Sequence, residues 1–211
     1  MYDDPHPSIP LVRLIGGLSL RYGGRRMALP PGSHRLLAYL ALHPGGVDRR
    51  GAAAALWPTD DDHASGNLQS ALWRLQQVGC PLVRADESTL GLREGVEVDL
   101  VRFEAWAGRI LAGTAGPDDL AVDPAPIADL ELLPGWSDDW VRVVRAPLHL
   151  RRVHALEELG RLQPAGRAEP PHESGRPAPT ETQQVPPRTG GRRQFDSFRR
   201  ILHPVMQYAG R

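Results

Sequence analysis

Lysine is absent from the 211 residues, so all 25 cationic side chains are arginine. That bias makes every cationic contact a planar fork suited to phosphate oxygens and base edges. Cysteine occurs once, at Cys80, which excludes an intramolecular disulfide and a cysteine-rich zinc site. Its reading is a small buried apolar side chain. Net charge is also lacking, because 25 acidic residues offset the arginines. A broad basic coat is excluded, and any nucleic-acid contact must come from a local patch. No apolar run approaches the roughly 20 residues needed to span a bilayer. The start, MYDDPHPSIP, lacks the charged-then-apolar pattern of a secretory signal, so a cytoplasmic protein with no membrane partner is expected. Neither a GxSxG elbow nor a Walker loop is present, no acid pair stands at helical spacing in a plausible cleft, and the eight histidines are scattered. The expectation is a protein that is not an enzyme and carries no cofactor.

What is there falls into blocks. Residues 1–9 read as a flexible tail. Leu18, Leu20 and Tyr22 alternate before Gly23-Gly24, and Met27 and Leu29 alternate after it, predicting a strand, a tight turn and a return strand. In PPGSHRLLAYLALHPGG, Ser33 is expected to cap a helix in which Leu36, Leu37, Leu40 and Ala41 form one stripe. A short helix follows in VDRRGAAAALWP, capped by Asp48 and ended at Pro58. Beyond the acidic link TDDDHAS lies the helix GNLQSALWRLQQVG, and then PLVRADESTLGLREGVEV, a hairpin around Asp86-Glu87-Ser88. Residues 10–98 therefore give an α+β order of sheet, three helices and hairpin, which fits a winged helix.

From Asp99 the signal is helical. VDLVRFEAWAGRILAG, ADLELLPGW and SDDWVRVVRAPLHLRRVHALEELGRL each predict helix, with Pro147 expected to kink or break the last. Residues 99–164 make up this second, helical domain. The 165–192 stretch, rich in Pro, Gly and Arg, holds one large aliphatic residue, Val185, and reads as disordered. An isolated helix with a tail is expected over 193–211, on the stripe Phe195, Phe198, Ile201 and Leu202.

At about 100° per residue, Leu68, Ala71, Leu72, Leu75 and Val78 share one face of the third helix. Ser70, Trp73 and Gln77 lie opposite, flanked by Gln69 and Arg74. Asn, Gln and Arg pair bidentately with adenine and guanine edges, and no acidic residue falls between Asp62 and Asp86. Polar outer faces are the rule on surface helices, so the tryptophan is the informative residue. An exposed Trp usually marks an interface. Arg49 and Arg50 pose a second question, because they sit in the first turn of their helix, where the macrodipole disfavours cations. A docked phosphate would compensate them.

The run LSLRYGGRRMALPPGSHRLLAYLALHPGGVDRRGAAAALWPTDDDHASGNLQSALWRLQQVGCPLV resembles the OmpR-like winged-helix domain of the SARP type of antibiotic regulatory activators. The pieces VEVDLVRFEAW, ELLPGWSDDWV and HALEEL resemble the start of their bacterial transcriptional activation domain, an α-helical, tetratricopeptide-like module that is partial here. The resemblance covers about residues 10–162, most specifically in LLAYLALHPG, ALWP, NLQSALWRLQ and LLPGWSDDW. It implies a promoter-binding activator that recruits RNA polymerase, with Gly66–Val78 as recognition helix and Asp86–Ser88 as wing tip. Asn67, Gln69, Ser70, Trp73, Arg74 and Gln77 would read bases, and Arg35, Arg49, Arg50 and Arg84 would bind phosphates. The loop Thr59–Ser65, with Asp60, Asp61, Asp62 and His63, would touch RNA polymerase. Its carboxylates are adjacent in a loop and point different ways, so no metal is expected there.

Two departures from that family stand out. The Asp86-Glu87 tip repels phosphate, and the 165–191 stretch interrupts the helical module, as a frameshifted or deleted segment would. Four phosphate contacts imply a salt slope of only about −3.6, and hence tandem or homodimeric binding on promoter repeats. The competing reading is a degenerate regulator acting as a protein-interaction module, with Trp73, Trp136 and Trp140 as anchors.

Overall fold

In a computed structural model the protein is described over residues 9–58 and 61–163. The expected tail up to residue 8 and the expected disordered stretch and isolated helix of 165–211 lie outside the described residues. The elements in chain order are β1 (Leu11–Arg13), β2 (Ser19–Tyr22), β3 (Arg25–Met27), α1 (His34–Leu42), β4 (Val47–Asp48), α2 (Arg49–Leu56) and α3 (Asp61–Gln76). They continue as β5 (Val83–Ala85), β6 (Thr89–Leu92), β7 (Glu97–Val98), α4 (Asp99–Leu111), α5 (Pro117–Leu120), α6 (Ala125–Ala128) and α7 (Asp139–Leu162). The fold is α+β, an amino-terminal sheet followed by helices, as the sequence predicts. Among the described residues no helix is long and apolar enough to cross a membrane.

Contacts divide the chain into two compact units. Of the described residues, one takes those up to Ala105 together with Leu130–Leu150; the other takes Trp106–Asp129 and residues 151–163.

The first unit is built on two sheets. One is ordered β3-β2-β1-β7, with β2 antiparallel to both β1 and β3, and β7 parallel to β1. Gly23 and Gly24 turn β2 into β3 with φ of 55° and 74°, a left-handed pair that glycine adopts at no steric cost. The other sheet is ordered β4-β6-β5, the β5–β6 hairpin closing around Asp86–Ser88. The helices α1, α2 and α3 supply half of the core, and strands, loops and the later helices supply the rest. Leu36, Leu37 and Leu40, Leu56, and Leu68, Ala71, Leu72 and Leu75 are all buried. Each fully buried leucine contributes about 1.5–3 kcal/mol of transfer free energy.

Asp48 caps α2 as its side chain suggests, accepting the Gly51 N–H at 2.7 Å. Ser33 does not act that way. It precedes α1 with helical backbone angles, and its buried hydroxyl instead donates to the Pro30 carbonyl at 2.7 Å, so it serves the preceding turn.

The later segment of this unit departs from the helical expectation. Of the stretch ADLELLPGW, residues 130–136, which lie in this unit, are non-helical. Leu132 forms an isolated antiparallel bridge with Ile15, and the Leu133 N–H donates to the Leu14 carbonyl at 2.9 Å. Leu133 adopts a φ of 45°, uncommon for a side-chain-bearing residue, and is fully buried. Packing and that backbone bond override local helix preference. Trp136 and Trp140 stack edge to face at 5.9 Å, and Trp140 meets Tyr39 at 5.3 Å. Nor does Pro147 break α7, which runs on from Asp139 to Leu162. Pro147 and the residue four before it, Val143, are both exposed, so the carbonyl that loses its partner lies on the water-facing side.

The second unit is centred on Trp106, whose indole N–H donates to the Asp119 carbonyl at 3.2 Å. Arg109 grips the Asp119 carboxylate with two bonds of 2.9 and 2.7 Å. This bidentate pair holds the carboxyl below its usual range. Gln163 donates to the carbonyls of Leu120 and Val122 at 2.8 and 3.2 Å.

Candidate nucleic-acid interface

The helical angles predicted for α3 describe its two faces. Leu68, Ala71, Leu72, Leu75 and Val78 are buried, whereas Asn67, Gln69, Ser70, Trp73, Arg74 and Gln77 are exposed. Trp73 is 60% exposed, among the largest apolar exposures in the described chain. Gln77 stands just past the last helical residue, and Gly79 ends the turn with a φ of 81°. The Arg74 guanidinium lies beside Gly32, where a Cβ would come within 3.0 Å of it.

The start of α3 corrects one expectation. The helix begins at Asp61, five residues before Gly66, so Asp62, His63, Ala64 and Ser65 belong to its first turns and not to a loop. Thr59 and Asp60 lie outside the described residues. An acidic first turn has an ordinary cause, since carboxylates there complement the positive end of the macrodipole. Among the described residues, no group of three or more His, Cys, Asp or Glu could hold a metal.

Four arginines were expected to meet phosphates, and the structure places them differently. Arg50 is exposed on α2. Arg84 on β5 is exposed and lies 3.7 Å from Asp86, a weak surface pair. Arg35, on α1, forms an ion pair with Asp138, so its guanidinium is committed to a carboxylate of the protein itself. Arg49 is also engaged. One of its nitrogens donates to the Gln69 side-chain oxygen at 3.0 Å and another to the Asp86 carbonyl at 3.2 Å, while its backbone N–H donates to the Ser88 carbonyl at 2.9 Å. The cation at this helix start is therefore compensated by internal oxygens.

The acidic hairpin tip also has a local explanation. Asp86 accepts the Thr89 hydroxyl at 3.1 Å, and its N–H donates to the Thr89 carbonyl at 2.9 Å, closing the turn. Arg93 was missed by sequence reasoning. It is exposed just beyond β6 and shares with Arg84, Gln76 and buried Cys80 the wall of a hollow of about 380 Å³. It is placed by a backbone bond, its N–H donating to the Leu82 carbonyl at 2.9 Å, which composition does not reveal. Burial pushes the Cys80 thiol above its ordinary value, as expected of an inert core cysteine.

Trp136 and Trp140 pack, partly buried, on the core of their own unit, and of the three candidate anchors Trp73 is the most exposed. Compared with known protein families and with curated proteins, the chain matches none.

Proposed function

We propose that the protein is a sequence-specific DNA-binding regulator, an activator of the SARP type that recruits RNA polymerase at promoter repeats. In this reading α1, α2 and α3 with the β5–β6 hairpin form an OmpR-like winged helix. The face carrying Asn67, Gln69, Ser70, Trp73, Arg74 and Gln77 enters the major groove, and α4 to α7 belong to a partial, tetratricopeptide-like activation module. Such a protein works in the cytoplasm on the nucleoid, with no enzymatic activity and no cofactor.

The observation that carries the reading is the division of α3. One side is locked in the core by four leucine and alanine side chains, and the other presents amide, hydroxyl, guanidinium and indole groups free of carboxylates from Asn67 to Gln77. Base edges demand that chemistry. Phosphates fall to Arg50, Arg93 and Arg84, whose contact with Asp86 is only a weak surface pair, whereas hydrogen bonds commit Arg35 and Arg49 to protein oxygens. Three such contacts give a salt slope of about −2.7, so repeated half-sites must supply the remaining affinity.

Selection of bound duplexes from a random pool tests this directly. A recurrent motif, flattened at one position by Arg74→Ala and merely weakened by Arg50→Ala, is the expected result. Equal loss on selected and random DNA in both variants, or no motif at all, would remove the assignment.

A further inference from the structure

We infer that Arg49 is a specificity-setting residue, which acts by fixing which end of the Gln69 amide faces DNA. The inference rests on the reading of α3 as the base-reading helix. A guanidinium has donors and no acceptor. Its 3.0 Å bond to Gln69 therefore requires the amide oxygen Oε1 at that end, and Nε2 then leads away from Arg49. A second guanidinium bond, to the Asp86 carbonyl, holds the side chain from the hairpin side, and the backbone bond of Arg49 to Ser88 fixes its main chain there. Gln69 is exposed, so this bond is what restricts its amide rotation.

The chemistry changes with that restriction. A free glutamine reads adenine with both ends, accepting from N6 and donating to N7. With Oε1 turned back to Arg49, Gln69 offers donors only, and guanine, with adjacent N7 and O6 acceptors, becomes the favoured edge. Arg49 is thus a positioning residue: it reads no base itself, and its loss changes the identity of the base read by another side chain.

The test is random-pool selection with the full chain, comparing wild type, Arg49→Ala, Arg49→Lys, Gln69→Ala and Gln69→Glu. Wild type should enrich guanine at one motif position that Gln69→Ala flattens. In Arg49→Ala the same position should shift toward adenine by about five-fold or more, while the other positions hold. Arg49→Lys, also donor-only, should keep guanine. Gln69→Glu retains the bond to Arg49 but presents only acceptors, and should turn that position to cytosine, which keeps the test open if Arg49→Ala fails to fold. A motif unchanged at every position in Arg49→Ala and Gln69→Glu, whatever the loss of affinity, overturns the role of Arg49 and leaves the DNA-binding reading standing. Absence of any wild-type motif overturns both.

Discussion

Arg35 and Asp138 form an ion pair between residues 103 positions apart, joining α1 to the chain just before α7. Around it, Leu132, Leu133 and Val141 are buried in the core that holds β1, α1 and α3. A fragment ending at residue 98, where the sequence suggests a boundary, loses those side chains and the Arg35 partner. At about 1.5–3 kcal/mol for each buried side chain, it should melt at least 10 °C below a fragment of residues 9–150, on the order of several degrees per kcal/mol. Calorimetry of the two fragments decides this, and equal midpoints would show that the later segment contributes nothing.

Asp99 gives the first unit a pH dependence of unusual sign. Its carboxylate accepts the Leu14 and Ile15 N–H groups at 2.9 and 3.1 Å, yet loss of water on burial lifts its pKa from 3.8 to about 6. The native state binds more protons than the unfolded chain between those values, so this contribution is fully present below about pH 3.8 and lost as pH rises through 6. Urea unfolding of wild type and Asp99→Asn at pH 4 and 7.5 should show the wild-type advantage shrinking by up to roughly 3 kcal/mol. A constant difference would mean that Asp99 keeps its ordinary titration.

Arg21 and Arg26 stand directly opposite in the β2–β3 pairing. Like charges in that position are destabilising. The Arg13 guanidinium reports the same crowding: its pKa is lowered chiefly by burial, and further by Arg21 and Arg26, against the pull of Asp99. Arg26→Thr should raise stability by about 0.2–1 kcal/mol, and more in dilute salt than at 0.5 M. A loss of stability at both salt levels would show that the arginine stem matters more than its charge.

Trp73 should separate stability from binding. Because it is 60% exposed, Trp73→Ala should leave the unfolding free energy within about 0.5 kcal/mol. If the proposed interface is right, retention on DNA should fall markedly in the same variant. A large loss of stability would instead assign the indole to packing.

How much was legible in the sequence depended on whether the deciding interaction was local. The α3 faces follow from helix periodicity alone, and every side chain assigned inward or outward there lies as predicted. The Gly23-Gly24 turn and the Asp48 cap are equally local. Ser33 does not cap α1 because its hydroxyl has a competing carbonyl at Pro30, and the helix expected at 128–136 does not form because Leu14, just past β1, offers Leu133 a backbone partner. The candidate site split likewise. Its exposed face was readable, but the links from Arg49 to Gln69 and from Arg35 to Asp138 span 20 and 103 positions, and charge type alone could not distinguish a phosphate ligand from an internal brace.

Asp48 belongs to two elements at once. It pairs with Thr89 across the β4–β6 ladder and caps α2 through Gly51, while the next residue bonds Ser88. The hairpin and the first turn of α2 therefore share one hinge line with no slack residue between them. A force that lifts the hairpin tip must also strain the α2 cap, so the two should protect their amides against hydrogen exchange as a single cooperative block. On such a lever, a push at the tip is felt at the foot of the helix.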